Sequence, residues 1–430
     1  MGKIIKAELW DKMQYMFRNY YDRMVHGAFY YDKLVDTDVL GNILIGFMEL
    51  NPVLRSRFVP HPVSPYWETA SYTLNDILTV KNVEPAHLEE SIDDFITGVI
   101  PVDSNVQIKV AVFNAKGRSA LAILVNHMCF DGGDFKYFLY TLVENYNNIK
   151  NGLKEIIIKR GSRSYDAVYS KFDEREKKIA NKLYKNISTV KDKHYFPFTA
   201  DSEADINRIV RRKIDKELFK TFRATGKRMN VTVNDLILTV YMRSLYEIGN
   251  FDDHAGLTIP CMVDLRRHIA GGDSVGGLTN HTGFMQCSLK RKGATINDTL
   301  LQVLKSTRKN KRDKYLGLYS LPLLKLAYTI FPYTVSEFTI MKGYINPLIG
   351  MSNIGLLDHR KLDFVDANIV DGFITGAVKY KPYMQLALTT LHGEVSMTIA
   401  MRCNEEDVRI IENFFDLMIK NIEEFNELNK

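Results

Sequence analysis

Cysteine is scarce: Cys129, Cys261, Cys287 and Cys403 are the only four in 430 residues. None lies in a C-x-x-C pair, so the spacing offers neither a zinc site nor a dithiol redox centre. Four cysteines cannot frame a chain of this length, which suits a reducing compartment and gives a cytoplasmic protein as the expectation. Long apolar runs are missing as well. No stretch approaches the ~18 residues that a membrane-spanning helix requires. The opening Met1-Gly-Lys-Ile-Ile-Lys-Ala-Glu8 lacks the apolar core of a secretory signal. There is no internal repeat and no low-complexity tract. Neither sign of charge dominates: 57 Lys and Arg against 51 Asp and Glu leave +6, spread along the chain. That distribution argues against a nucleic-acid binder, while a mild positive balance suits an anionic substrate such as a phosphorylated cofactor. His254, His268 and His281 lie near one another but lack ligand spacing, so no metal is expected.

What remains is a globular composition, 46% hydrophobic and 25% charged, in a chain too long for one ordinary core. Periodicity gives alternating helices and strands. Leu9–Tyr21 reads as a first helix or as irregular aromatic-rich structure, Met24–Tyr31 as a strand, and Asp36-Thr-Asp38 as caps for a helix ending near Asn51-Pro52. Pro85–Phe95 reads as another helix. Val106–Phe113 and Arg118–Val125 pair around the turn Asn114-Ala-Lys-Gly117. Residues 153–204 are rich in Lys, Arg, Asp and Ser, with a charged helix over Phe172–Tyr184. This stretch reads as a crossover with a solvated basic face and places a boundary near residue 180, giving lobes 1–180 and 181–430. Beyond it come a strand Ile206–Ile214, helices over Asp215–Lys227 and after a cap at Thr232 or Asn234, and a helical region Ile296–Tyr333. A hairpin Pro382–Leu391/Glu394–Met401 and a helix Glu405–Phe425 close the chain.

The chemistry concentrates in ten residues, Val125-Asn-His-Met-Cys-Phe-Asp-Gly-Gly-Asp134. The apolar Ala120–Val125 before them reads as a buried strand. Phe135, Phe138, Leu139, Leu142, Val143 and Tyr146 after them fall at helical spacing. His127 therefore stands where a strand stops and Asp131 just before a helix starts, a junction where α/β folds place reactive groups. A neutral imidazole is a natural general base near pH 7. The plainer alternative is a structural His at a strand end. Cys129, two residues on, also admits a Cys/His nucleophilic pair, although a buried Cys is usually a small hydrophobe.

His127-x-x-x-Asp131-Gly132 resembles the His-x-x-x-Asp-Gly motif of the chloramphenicol acetyltransferase-like superfamily, which includes condensation domains of peptide synthetases and alcohol acetyltransferases. Asn126 stands where condensation domains usually carry a second His. Further segments resemble the family's in its order: Asn51-Pro-Val-Leu-Arg-Ser-Arg-Phe58, Thr232-x-Asn234-Asp235, Val263-Asp264-x-Arg266 with Gly276-x-x-x-Asn280, and Ser352-Asn353-x-Gly355. The resemblance implies an α/β fold of two chloramphenicol acetyltransferase-like lobes, with mixed sheets and a tunnel between them. It implies acyl transfer from a thioester to an alcohol or amine, with His127 as base. Asp131 would pair structurally with Arg266, Gly132 would give clearance, and Ser352, Asn353 or Asn280 would contact the oxyanion or substrate. No permanently bound cofactor is implied; acyl-coenzyme A or a phosphopantetheine thioester would be co-substrate. The partners expected are small-molecule donor and acceptor, with an acyl or peptidyl carrier protein in the condensation-type case. Two alternatives stay open: a stand-alone condensation enzyme forming amide bonds, and a non-catalytic relative that only binds.

Overall fold

The computed structural model describes residues 2–183, 193–271 and 277–430. The chain forms two α/β lobes built on mixed sheets. The first sheet has five strands in the order Ile369–Thr375, Met24–Tyr31, Arg118–Asn126, Ile108–Ala115, Leu78–Asn82; only the last pair is parallel. Its middle strand, Arg118–Asn126, is buried from Ser119 onward because both faces are covered. Leu121, Ile123 and Val125 point into the core that holds the helix Gly132–Lys150, and Ala120 and Ala122 face Ile92 and Ile96 of the helix Leu88–Ile96. Period-two alternation thus sends large residues to one side and alanines to the other.

The second sheet has six strands in the order Thr282–Leu289, Leu257–Asp264, Ile349–Leu356, Met384–Leu391, Glu394–Cys403, Ile206–Ile214. Ile349–Leu356 runs parallel to both of its neighbours; the other pairs are antiparallel. The helices Val233–Ile248 and Glu405–Leu428 cover this sheet. Val233–Ile248 is buried on nearly every side, and its Tyr241 hydroxyl donates to the Gly350 carbonyl at 2.8 Å. Among the described residues no helix is long and apolar enough to cross a membrane.

Several expected elements change shape. The first helix stops at Met16, after a capping box of Glu8 and Asp11. Residues 17–20 turn, and Tyr21 bridges to Lys379. Pro85–His87 is a 3-10 turn ahead of Leu88–Ile96. The long helical region divides into Ile296–Lys311, Leu321–Ile330 and Tyr333–Gly343. Gly317, at φ 86°, and Pro332 break what apolar periodicity alone makes continuous. The charged crossover helix is short, Glu174–Ala180; Tyr184 lies outside the described residues, as does Gly276.

The strand Ile369–Thr375, late in sequence, returns to the edge of the first sheet beside Met24–Tyr31. Arg211 of the second sheet holds Asp371 of that strand at 2.7 and 3.0 Å. A second ionic knot lies beneath the helix Glu405–Leu428. The Lys381 ammonium reaches Asp407 at 2.7 Å and Asp205 at 3.0 Å, and all three side chains are at most 6% exposed. Removing one member of a buried ionic cluster leaves its partners uncompensated. Lys381→Met is expected to lower the unfolding free energy by about 3–5 kcal/mol, read as a fall in the urea midpoint at unchanged slope. A midpoint equal to wild type would refute this account of the knot.

Candidate active site

His127 follows the last residue of the strand Arg118–Asn126, and Asp131 is the N-cap of the helix Gly132–Lys150. The turn between them is held through its own backbone. Asn126 accepts at Oδ1 from the Met128 amide at 3.0 Å and donates to Gln107 Oε1 at 2.7 Å. Asn280 donates to the carbonyls of His127 at 3.0 Å and Met128 at 2.9 Å. Arg163 donates to the Met128 carbonyl at 2.8 Å and the Cys129 carbonyl at 2.9 Å, and pairs with Asp11. The His127 amide donates to the Arg23 carbonyl at 2.7 Å. A turn gripped from four directions fixes where the imidazole can be.

The ring itself is far less constrained. Among the described residues His127 Nδ1 is buried with no hydrogen-bond partner. Burial holds the pKa below its ordinary value, and the positive Lys379 adds to this; the neighbouring backbone carbonyls and Asp131 pull the other way without overcoming it. The imidazole is therefore neutral at neutral pH. It stands on the wall of a cavity of about 820 Å³. Met13, Met16 and Gly132 line that cavity from one lobe, and Met262, Phe284, Ser352 and Met384 from the other.

Asp131 does not orient His127. Its carboxylate accepts from Arg266 Nη2 at 3.0 and 3.1 Å and from the Asp134 amide at 2.9 Å. Burial works to raise its pKa, but Arg266 outweighs burial and holds the carboxyl at about 2. Asp134 is the partner that sequence reading missed. It accepts from Arg266 Nη2 at 2.6 Å and from the amides of Thr279, Asn280 and Asp131 at 2.9, 2.6 and 3.0 Å. Burial and the Asp131 charge push it up to about 6, so it is still ionised at neutral pH, as four converging donors require. Asp264 adds a third carboxylate, 3.0 Å from Arg266 Nη1.

Clearance falls one residue later than expected. A methyl at Gly132 would rest at 3.7 Å from Ile354, an ordinary contact, whereas one at Gly133 would lie 2.6 Å from Arg266 Nη1. Gly133 is the position that allows the guanidinium to approach the helix. Ser352 and Asn353 both line the cavity, on the strand Ile349–Leu356. The Asn353 amide also donates to Asn234 at 3.3 Å. The Asn280 Nδ2 braces the His127 turn, its Oδ1 is buried with no partner among the described residues, and the residue is not among those that line the cavity. Cys129 is fully buried with its thiol pKa pushed far up by burial, which removes the nucleophilic pair. His281 packs against Trp10 at 4.6 Å between ring centres, and burial takes its pKa down to about 4. Among the described residues no His, Cys, Asp and Glu group is arranged to hold a metal.

No family model and no curated protein matches the chain. Solved structures match over almost its whole length. The first condensation domain of the calcium-dependent antibiotic synthetase is 12% identical, with 98% of this chain and 96% of that one covered at a TM-score of 0.70. The epimerization domain of tyrocidine synthetase B is 13% identical, with 99% and 98% covered at 0.67. The trichothecene 15-O-acetyltransferase of Fusarium sporotrichioides is 11% identical, with 97% and 95% covered at 0.69. The fold of this chain is therefore the two-lobed fold that condensation domains share with chloramphenicol acetyltransferase-like proteins.

Proposed function

We propose that this protein is an acyltransferase that moves an acyl group from a thioester to an alcohol or amine, with His127 as general base. The observation that carries the reading is a neutral imidazole, on a rigidly held turn, facing a cavity walled by both lobes. Nε2 takes the proton from the acceptor O–H or N–H as its oxygen or nitrogen bonds to the thioester carbon. The tetrahedral intermediate expels the thiolate, and the imidazolium returns the proton to sulfur. Both substrates meet in the cavity, so no acyl-enzyme is needed. The developing oxyanion requires donors in place beforehand; Gly132, beside His127 on the first lobe, and Ser352, on the facing lobe, line the same cavity. The donor is acyl-coenzyme A or a phosphopantetheine thioester on a carrier protein, and the work is done in the cytoplasm.

The test is thiol release from a panel of acyl-coenzyme A donors, with and without pooled alcohols and amines. Acceptor-dependent release is expected, falling by about 10²–10⁴-fold in His127→Ala. Release that survives this substitution would overturn the role of His127. If coenzyme A thioesters are inert, acyl-phosphopantetheinyl carrier proteins are the second panel; inertness to both would leave a binding protein.

A base must be deprotonated to act, and the His127 pKa lies below the usual 6.5. The rise of the transfer rate with pH should therefore have its midpoint below 6.5. An inflection above pH 7 would contradict the desolvated site.

Arg266 and His127 should fail differently. Arg266→Met leaves Asp131 and Asp134 buried without their cation, which should cost about 3–5 kcal/mol of stability together with activity. His127→Ala should leave the denaturation midpoint near wild type. Equal midpoints for wild type and Arg266→Met would remove Arg266 from its bracing role.

A further inference from the structure

Among the described residues the charged groups on the cavity wall have hydrogen-bond or ion-pair partners, with one exception. Asp131 and Asp264 pair with Arg266, and Lys136 donates to the Ile354 carbonyl at 2.5 Å. Lys379 also lines the cavity. Among the described residues no carboxylate lies within ion-pair distance of its ammonium. Instead Nζ stands 3.8 Å from the centre of the Tyr21 ring. The nearest opposing charge is Asp22, which interacts only at longer range. One of its oxygens is committed to the amides of Met24 and Val378 at 2.9 and 3.1 Å, and the other faces His26 at 3.5 Å.

The position of Lys379 is built in. Its amide donates to the Ala400 carbonyl at 3.0 Å, its carbonyl accepts from Arg402 at 2.8 Å, and it bridges Tyr21 on the other side. Phe17, Ala377, Tyr383 and Met384 make the surrounding wall mostly apolar. An ammonium fixed in such a wall is poorly solvated, and burial brings its pKa to about 8, so it still carries its proton at neutral pH. A ring face recovers part of the lost hydration. An anion in hydrogen-bond reach would recover more, and that anion has to arrive with a ligand.

We infer that Lys379 is the seat of a carboxylate carried by one of the two substrates, held in the cavity beside the Tyr21 ring. A single ammonium against an aromatic face suits a monoanion rather than a phosphate dianion. The inference deepens the acyl-transfer reading and rests on it for the identity of the molecule that bears the carboxylate. Lys379 is then a specificity residue: it selects an acidic acceptor, such as a hydroxy acid or amino acid, or a donor with a free carboxylate at the far end of its acyl chain.

Equilibrium binding tests this without turnover. Wild type and Lys379→Met are titrated calorimetrically with two matched pairs, succinyl- against butyryl-coenzyme A and 3-phenyllactate against its amide. In one pair, wild type should bind the carboxylate member about ten- to a hundredfold more tightly than the neutral member. That ratio should fall to near one in Lys379→Met while the neutral ligand binds as before, and Lys379→Arg should recover part of it. The succinyl pair reports a carboxylate on the donor and the lactate pair one on the acceptor. No preference for the acid in either pair, no binding of either acid, or a preference that survives Lys379→Met would each overturn the inference. A loss of affinity equal for acid and neutral ligands would do so too, since it would mark a merely structural lysine. Should Lys379→Met fail to fold, the wild-type ratios and Lys379→Gln decide. If no thioester is ever consumed the acyl-transfer reading fails, yet these binding ratios still stand or fall on their own.

Discussion

One guanidinium sets the geometry of the whole site. Arg266 meets three carboxylates, Asp131, Asp134 and Asp264, and also donates to the Thr279 hydroxyl at 2.7 Å. A buried cation shared in this way costs a great deal of hydration, and only good geometry on every side offsets that cost. Arg266 follows the strand Leu257–Asp264 of the second sheet, whereas Asp131 and Asp134 begin the long helix of the first lobe. The two lobes are therefore fixed to one another at the point where the strand before that helix releases His127. A turn tied to one lobe alone could shift with any breathing of the interface. Tied across both, it keeps the imidazole in register with a wall that the opposite lobe supplies.

The same logic explains why so many polar groups attend the four residues 127–130 and so few attend the imidazole. Asn280 and Arg163 satisfy the turn's carbonyls, and Asn126 satisfies its Met128 amide. A buried loop without such partners would carry unsatisfied backbone, each group costing about 1–3 kcal/mol. Nδ1, in contrast, is left unpaired. A strong acceptor there would favour imidazolium and raise the pKa; as it is, burial, helped by Lys379, outweighs the nearby carbonyls and Asp131 and lowers it. The site thus holds His127 through its main chain, while burial is the largest influence on the ring's proton affinity.

Much of this was legible in the sequence. Met24–Tyr31 and Ile206–Ile214 are strands with the ends expected, Asp36 is a cap as expected, Thr232 rather than Asn234 caps its helix, and Asp215, expected as a first helical residue, is the cap before Lys216. Local signals carry such elements: alternation for strands and short polar side chains for caps. The pairing of Asp131 with Arg266 was reached only through motif resemblance, because 135 residues separate the two. Asp134 was a fair target, since a second Asp three residues after a capping Asp completes a capping box. Arg163 was not. It sits in a charged stretch that periodicity assigns to solvent, and nothing local shows that its guanidinium turns inward to two carbonyls and Asp11. Gly132 and Gly133 are adjacent and alike in sequence, and only the path of Arg266 tells them apart.

The division of labour between clamp and wall also limits where specificity can reside. The Arg266 cluster and the grip on the turn consume nearly all the polar capacity around His127, so a substitution there unsettles the fold before it alters selection. The opposite wall includes Met262, Phe284, Leu324, Ile340 and Met384, which contribute shape and little directional bonding, beside polar residues such as Gln286, Ser352 and Gln385. Apolar side chains of this kind exchange for one another at modest cost when volume is kept. The length and bulk of what the cavity admits can therefore change while His127, its turn and the clamp stay as they are. Against such a wall a single fixed charge discriminates far more sharply than any change of apolar shape, because an unpaired ion in that setting finds neither water nor counterion.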